Sequence, residues 1–215
     1  LVGNYKMANG LYATLGGFEV NNLGRDQASV QMLGTQVGYN GEAGDGKYSA
    51  NLAYYMTTSS VEDILPAGFD QDFSFDVLDF YADYKQKVSD VDLKLYGDYF
   101  VNLGAESSAE KDNNVGYLLG VEGKYQDITL GYAYGHVEAV SMLAGAVAGA
   151  GLVPMGDSDL GSTVGGGTDY KAHRVNVGYA LTKSLSIGLT VAFAKTLEAN
   201  EREGTLYQLD TIFTF

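Results

Sequence analysis

The chain holds two histidines, and no other imidazole can bind a metal or move a proton. His136 and His173 flank the long stretch 138–169, and Glu138 stands two residues after His136. Two imidazoles and a carboxylate are a donor set that zinc accepts. No further ligand spacing accompanies them, and two histidines at strand ends are the simpler reading, so no metal is expected. Ser141 and Asp169 lie near the same histidines in sequence, as a hydrolase would need. No nucleophile motif surrounds the serine, so no catalytic residue and no enzyme are expected. The run Gly165 to Gly167 lacks the Lys-Ser/Thr and the following helix of a phosphate loop, and reads as a loop hinge. With no cysteine, thiolate metal sites and disulfides are excluded, and no cofactor is expected.

The remaining chemistry is charge at alternate positions. In DVDLKLYGDYFVN, Val91, Leu93, Leu95, Gly97, Tyr99 and Val101 form one set, and Asp92, Lys94, Tyr96, Asp98, Phe100 and Asn102 the other. An almost uncharged face backs onto one with three charges, which is a strand with unlike faces. Ten such segments recur: Leu11–Val20, Ser29–Asn40, Lys47–Thr57, Phe73–Lys85, Asp90–Asn102, Asn114–Tyr125, Asp127–Val137, Tyr170–Leu181, Ser184–Leu197 and Thr205–Phe215. Composition agrees. There are 29 Gly and 17 Tyr with only 2 Pro in 215 residues, and Gly inside a helix costs about 1 kcal/mol against Ala.

A soluble sandwich and a membrane barrel both alternate. In a sandwich the large residues face inward, and in a membrane barrel they face lipid. Segment length favours the barrel, because sandwich strands average about 5–6 residues whereas tilted membrane strands need about 9–11. The connections alternate between short (GEAGDG, QKVS, the Tyr125–Asp127 junction, TK) and long (21–28, 58–72, 103–113, 138–169, 198–204). Tight turns at one end and large loops at the other are the outer-membrane arrangement. Aromatics gather near segment ends, at Tyr12, Phe18, Tyr48, Tyr55, Tyr84, Tyr99, Tyr117, Tyr125, Tyr179 and Phe215, as lipid–water interfaces favour. The apolar stretch Ala139–Met155 is too short and too interrupted by Gly and Pro for a membrane helix.

Charge is unevenly placed. The long connections carry fifteen acids against Arg25, Lys111 and Arg202, so they hold -12 of the net charge of -14. Such an acidic chain is a poor partner for nucleic acid. If large apolar residues face lipid, parity sends Asp79, Tyr81, Asp83 and Lys85 inward, with Asp92, Lys94, Asp98 and Asn102, then Glu122 and Lys124, Arg174 and Asn176, and Gln208 and Asp210. Ten strands alone leave little channel, because small barrels are filled by their own side chains.

From Gly97 onward the ordered motifs GDYFVNLG, GYLLGVEGKY, LGYAYGHVEA, GDSDLGSTVGGGTDYKAHRVNVGYALTKSLSIG and LYQLDTIFTF resemble the C-terminal part of the bacterial "putative porin" family. The resemblance covers roughly the second half of the chain. It implies an antiparallel transmembrane β-barrel in the bacterial outer membrane and a passive diffusion channel for small hydrophilic solutes. The acidic loops make that channel cation-preferring; the alternative is a non-conducting barrel that presents those loops to partners. It implies outer-membrane lipid and lipopolysaccharide, the barrel-assembly machinery and a homo-oligomer as partners. The terminal Tyr207, Leu209, Phe213 and Phe215 match the alternating aromatic pattern that this machinery reads. Family members are commonly longer, and the chain begins LVGNYKMANG with no signal peptide, so residues 1–215 are expected to be a single barrel domain from the C-terminal portion of a longer porin.

Overall fold

The computed structural model describes residues 1–21, 29–57, 75–107, 112–141, 168–197 and 202–214. They form one antiparallel sheet of eleven strands in sequence order: β1 (Val2–Lys6), β2 (Leu11–Asn21), β3 (Ser29–Ala43), β4 (Gly46–Thr57), β5 (Asp76–Val88), β6 (Val91–Asn102), β7 (Val115–Tyr125), β8 (Ile128–Val137), β9 (Tyr170–Thr182), β10 (Leu185–Thr196) and β11 (Glu203–Phe213). All ten expected segments are strands. β1 was not anticipated: its five residues are too few for alternation to stand out, and it pairs with β2 from Val2↔Gly16 to Lys6↔Tyr12. β5 begins at Asp76, with Phe73 outside the described residues, and β11 begins at Glu203, where Lys195 on β10 meets the carboxylate at 3.5 Å.

The short connections at one end shrink to two residues at 44–45, 89–90, 126–127 and 183–184, joined there by the 7–10 turn between β1 and β2. Gly44, Ser89 and Gln126 each open their turn with positive φ, which lets a two-residue turn follow the twist of its flanking strands. The long connections lie at the other end, where a 3₁₀ turn, Leu103–Ser107, follows β6. Among the described residues no helix is long and apolar enough to cross a membrane; most of the Ala139–Met155 stretch lies outside them.

The two faces of the sheet differ as the alternation requires. Directly paired residues share a face, so the register sorts every strand. One face carries Leu52, Phe80, Leu95, Tyr99, Leu119, Leu130, Val177, Leu189 and Leu209, all exposed, with Leu95 at 54 %. The opposite face holds the buried residues, including Ala53, Phe100, Leu118, Ala133, Val137, Ala172 and Ala192. A single sheet has only itself and its own connections with which to cover one face. That burial therefore marks an inner face, around which the sheet curls, and an outer face that is large and apolar.

Followed across the sheet, the outer apolar residues form a slanted band. On β4 it runs from Tyr48 to Met56, on β7 from Tyr125 to Val115, and on β11 from Phe213 to Tyr207. In cross-strand rows its upper edge falls by four rows between β4 and β11. The row through Leu52, Phe80, Tyr99 and Tyr117 continues to His136, Lys171, Lys195 and Glu203. Two residues per row over seven steps is roughly one residue, about 3.3 Å, per inter-strand spacing of about 4.8 Å. That ratio corresponds to strands tilted by about 35–40° to the band, the tilt of closed barrels. β1 and β11 are the sheet edges and run in the same direction.

Candidate functional site

The inner face is the candidate site. All ten of the charged residues assigned inward by parity lie on it: Asp79, Asp83, Lys85, Asp92, Lys94, Asp98, Glu122, Lys124, Arg174 and Asp210 occupy rows that never meet the apolar band. Tyr81, Asn102, Asn176 and Gln208 share the face. The register adds Glu42 to the six acids, and Lys6, Lys47 and Lys87 to the four bases. Seven acids then face seven bases, so the wall itself is balanced rather than slightly acidic.

The face has two halves. Toward the two-residue turns it is open and charged. One cross-strand row there reads Glu42, Lys47, Lys85, Lys94, Glu122. Three lysines stand directly opposite one another, an arrangement that repels. Their neighbours offset it: Lys85 meets Asp83 at 3.5 Å, Lys94 lies 4.8 Å from the centre of the Tyr96 ring, and Lys87 meets Asp92 at 3.6 Å. Sequence reading missed this row, since Lys47 is far from Lys85 and Lys94 in the chain and only the register sets the three side by side. A cavity of about 340 Å³ opens there between Asn40, Lys47, Ser49, Asp83 and Lys85.

Toward the long loops the inner face is closed. Phe100, Leu118, Val137, Tyr170 and Ala172 are buried, and so are Asn51, Asp79, Asp98 and Asn102. Glycine lets large rings lie along the wall here: Phe100 covers Gly116, its cross-strand partner, and Tyr96 covers Gly120 in the same way. A side chain at either glycine would push the ring into the interior. Asn102 ties this end together. Its Oδ1 accepts from the backbone N–H groups of Asp76 and Gly104, both at 3.0 Å, and its Nδ2 donates to the Val140 carbonyl at 2.8 Å.

The histidine set does not assemble. His136 and His173 both project from the outer face. His136 stacks on Tyr117 with ring centroids 5.1 Å apart and reaches Glu138 at 3.4 Å. His173 Nδ1 lies 2.8 Å from the Tyr132 hydroxyl. Ser141 Oγ donates to the Glu138 carbonyl at 2.7 Å instead of to a histidine. Of the expected aromatic belt, Tyr48, Tyr84, Tyr99, Tyr117, Tyr125 and Tyr179 share the outer face, whereas Tyr12 and Tyr55 turn inward. Tyr12 is inside because its ring covers Gly38, and Tyr55 because only one of the consecutive Tyr54 and Tyr55 can face out. Tyr207, Leu209 and Phe213 lie on the outer face and are exposed. Phe215, most of the acidic loop residues, and residues 142–167 of the long loop lie outside the described residues.

No family model matches the chain, and no curated protein matches it. Among solved structures it is similar to a KdgM porin in complex with disordered oligogalacturonate, at 11 % identity and a TM-score of 0.42 over 100 % of this chain and 90 % of that one. The all-β antiparallel architecture stands on the strand order and register described above.

Proposed function

We propose that the chain forms the wall of a porin-like channel in a bacterial outer membrane, passing small hydrophilic solutes and ions by diffusion. The observation that carries this reading is the inverted face pattern. Large apolar residues are exposed in a slanted band, and the charged residues are gathered on the opposite face. Water cannot be the solvent for both, but lipid outside and water inside satisfy them together. The reading includes outer-membrane lipid and lipopolysaccharide against the band, recognition of Tyr207, Leu209, Phe213 and Phe215 by the barrel-assembly machinery, a homo-oligomer, and no enzymatic step. It also takes the chain as the C-terminal portion of a longer porin. β1 and β11 run in the same direction, so an antiparallel closure takes an odd number of further strands between them.

Cation preference rests on the loops, since the wall is balanced. With Glu203 on β11 they carry fourteen acids against three bases, and this net charge of -11 would concentrate cations at one mouth. A second reading, a non-conducting barrel that presents acidic loops to partners, is favoured by the closed half of the inner face around Phe100, Val137 and Tyr170. Planar-bilayer recording of the native protein separates the two. Stepwise conductance with a cation-selective reversal potential supports the channel. A silent bilayer holding folded protein supports the second reading.

A further inference from the structure

The inner wall contains a group of oxygen atoms that no protein donor satisfies. Asp79 and Asp98 are 1 % and 3 % exposed, among the most buried side chains on the face. Asp79 pairs in register with Phe100, and Asp98 with Tyr81, so the two acids are diagonal neighbours on β5 and β6. Diagonal neighbours on one face bring the two carboxyls close together. Both oxygens of Asp98, Oδ1 of Asp79 and Oδ1 of Asn51 are buried without a hydrogen-bond partner. Asn51, on β4, is 9 % exposed and occupies the same cross-strand row as Tyr81 and Asp98, diagonal to Asp79.

Buried polar atoms are almost always satisfied, and a cluster that is not calls for a water or an ion. A proton shared between the two carboxyls would satisfy one pair of oxygens only. It would leave the Asn51 amide oxygen and the second Asp98 oxygen without a donor. No lysine or arginine stands beside either acid in the register. The next acid along β5, Asp83, is already met by Lys85 at 3.5 Å. A cation held between the two carboxylates and the Asn51 amide would satisfy all four oxygens at once.

We propose that Asn51, Asp79 and Asp98 form a calcium site in the inner wall. All the donors are hard oxygens, with no imidazole or sulfur, which selects against zinc and copper. Two carboxylates match a divalent charge. Donors fixed on three adjacent strands give an irregular set, which Ca²⁺ accepts and Mg²⁺, with its strict octahedron, does not. The site stands whether or not the wall conducts.

Terbium luminescence tests the site directly. Tb³⁺ substitutes for Ca²⁺, and Tyr81, the cross-strand partner of Asp98, and Tyr55, diagonal to Asp79, are placed to sensitise its emission in a chain without tryptophan. The protein is reconstituted in vesicles at 0.3 M NaCl, so that the acidic loops are screened. Tyrosine-excited Tb³⁺ emission is expected, displaced by CaCl₂ far more readily than by MgCl₂. It should fall at least ten-fold in Asp79→Asn/Asp98→Asn and stay unchanged in Asp92→Asn. The Asn replacements keep shape, and folding is verified by heat-modifiable gel mobility. Should the double variant not fold, Asp98→Asn alone carries the comparison. In parallel, millimolar CaCl₂ should raise the thermal midpoint of the wild type and not that of the variant. Emission that is absent, or equal in wild type and variant, overturns the proposal and leaves a shared proton or loop-bound ions.

Discussion

Replacing outward leucines by arginine separates a lipid-facing band from an ordinary exposed surface. Leu52, Leu119 and Leu189 each sit at the middle of the band on their own strands, although they belong to three different cross-strand rows. Were the outer face in water, a substitution at these exposed positions would change stability by less than about 0.5 kcal/mol. In a bilayer, arginine at the midplane of a barrel costs about 2–4 kcal/mol, falling to about 0–1 near the interfaces. The tilt makes a sharper prediction. Val88 and Ile187 share one row, but the slant leaves Val88 at the edge of the band and carries Ile187 inside it. Leu52→Arg, Leu119→Arg and Leu189→Arg should therefore each cost about 2–4 kcal/mol, and Val88→Arg about 0–1, with Ile187→Arg between them. Reversible denaturant unfolding in phosphatidylcholine vesicles, followed by tyrosine fluorescence, measures each difference. A cost below about 0.5 kcal/mol at all three central leucines would refute the lipid-facing assignment. Equal costs for Val88→Arg and Ile187→Arg would refute the tilt.

Asn102→Ala removes three side-chain hydrogen bonds at the loop end and should destabilise by about 2–4 kcal/mol, read as a lower midpoint in the same unfolding assay. If the protein conducts, its cation preference should weaken as KCl rises toward 1 M, where the Debye length falls to about 3 Å, and asymmetric-salt reversal potentials follow this. Neutralising the wall acids Asp83 and Asp92 should move that preference less than neutralising Glu198 and Glu201 on the last long connection. Phe215→Ala should slow assembly in cells, measured as a larger unfolded fraction by heat-modifiable mobility, without altering the stability of protein folded in vitro.

Ten strands and the division into faces were legible because alternation over ten or more residues leaves one consistent assignment, and a one-residue slip would invert every side chain. The same parity placed Asp79, Asp83 and Asp98 on one face without any knowledge of neighbours. β1 escaped because five residues give only three positions on one side and two on the other. Features that depend on which strand residues stand side by side were not legible. Lys47 is far from Lys85 and Lys94 in sequence, yet the three are adjacent in the sheet. Asp79 and Asp98 read as two lumen charges among ten, and only the register brings their carboxyls together. The inward turn of Tyr12 follows from Gly38 on the next strand, so the propensity of tyrosine for interfaces was a poor guide there.

The absence of cysteine makes the central claim directly measurable. Single cysteines are placed along β10 at Ser186, Ile187, Gly188, Leu189, Thr190 and Val191, and the protein is reconstituted in vesicles and treated with a charged, membrane-impermeant maleimide from the aqueous phase, with the vesicles opened so that both mouths are reached. The account predicts labelling with a period of two: rapid at 186, 188 and 190, where side chains face the lumen, and at least ten-fold slower at 187, 189 and 191, where they face lipid. Rapid labelling at Leu189 and Val191 with protection at Ser186 and Thr190 would contradict it.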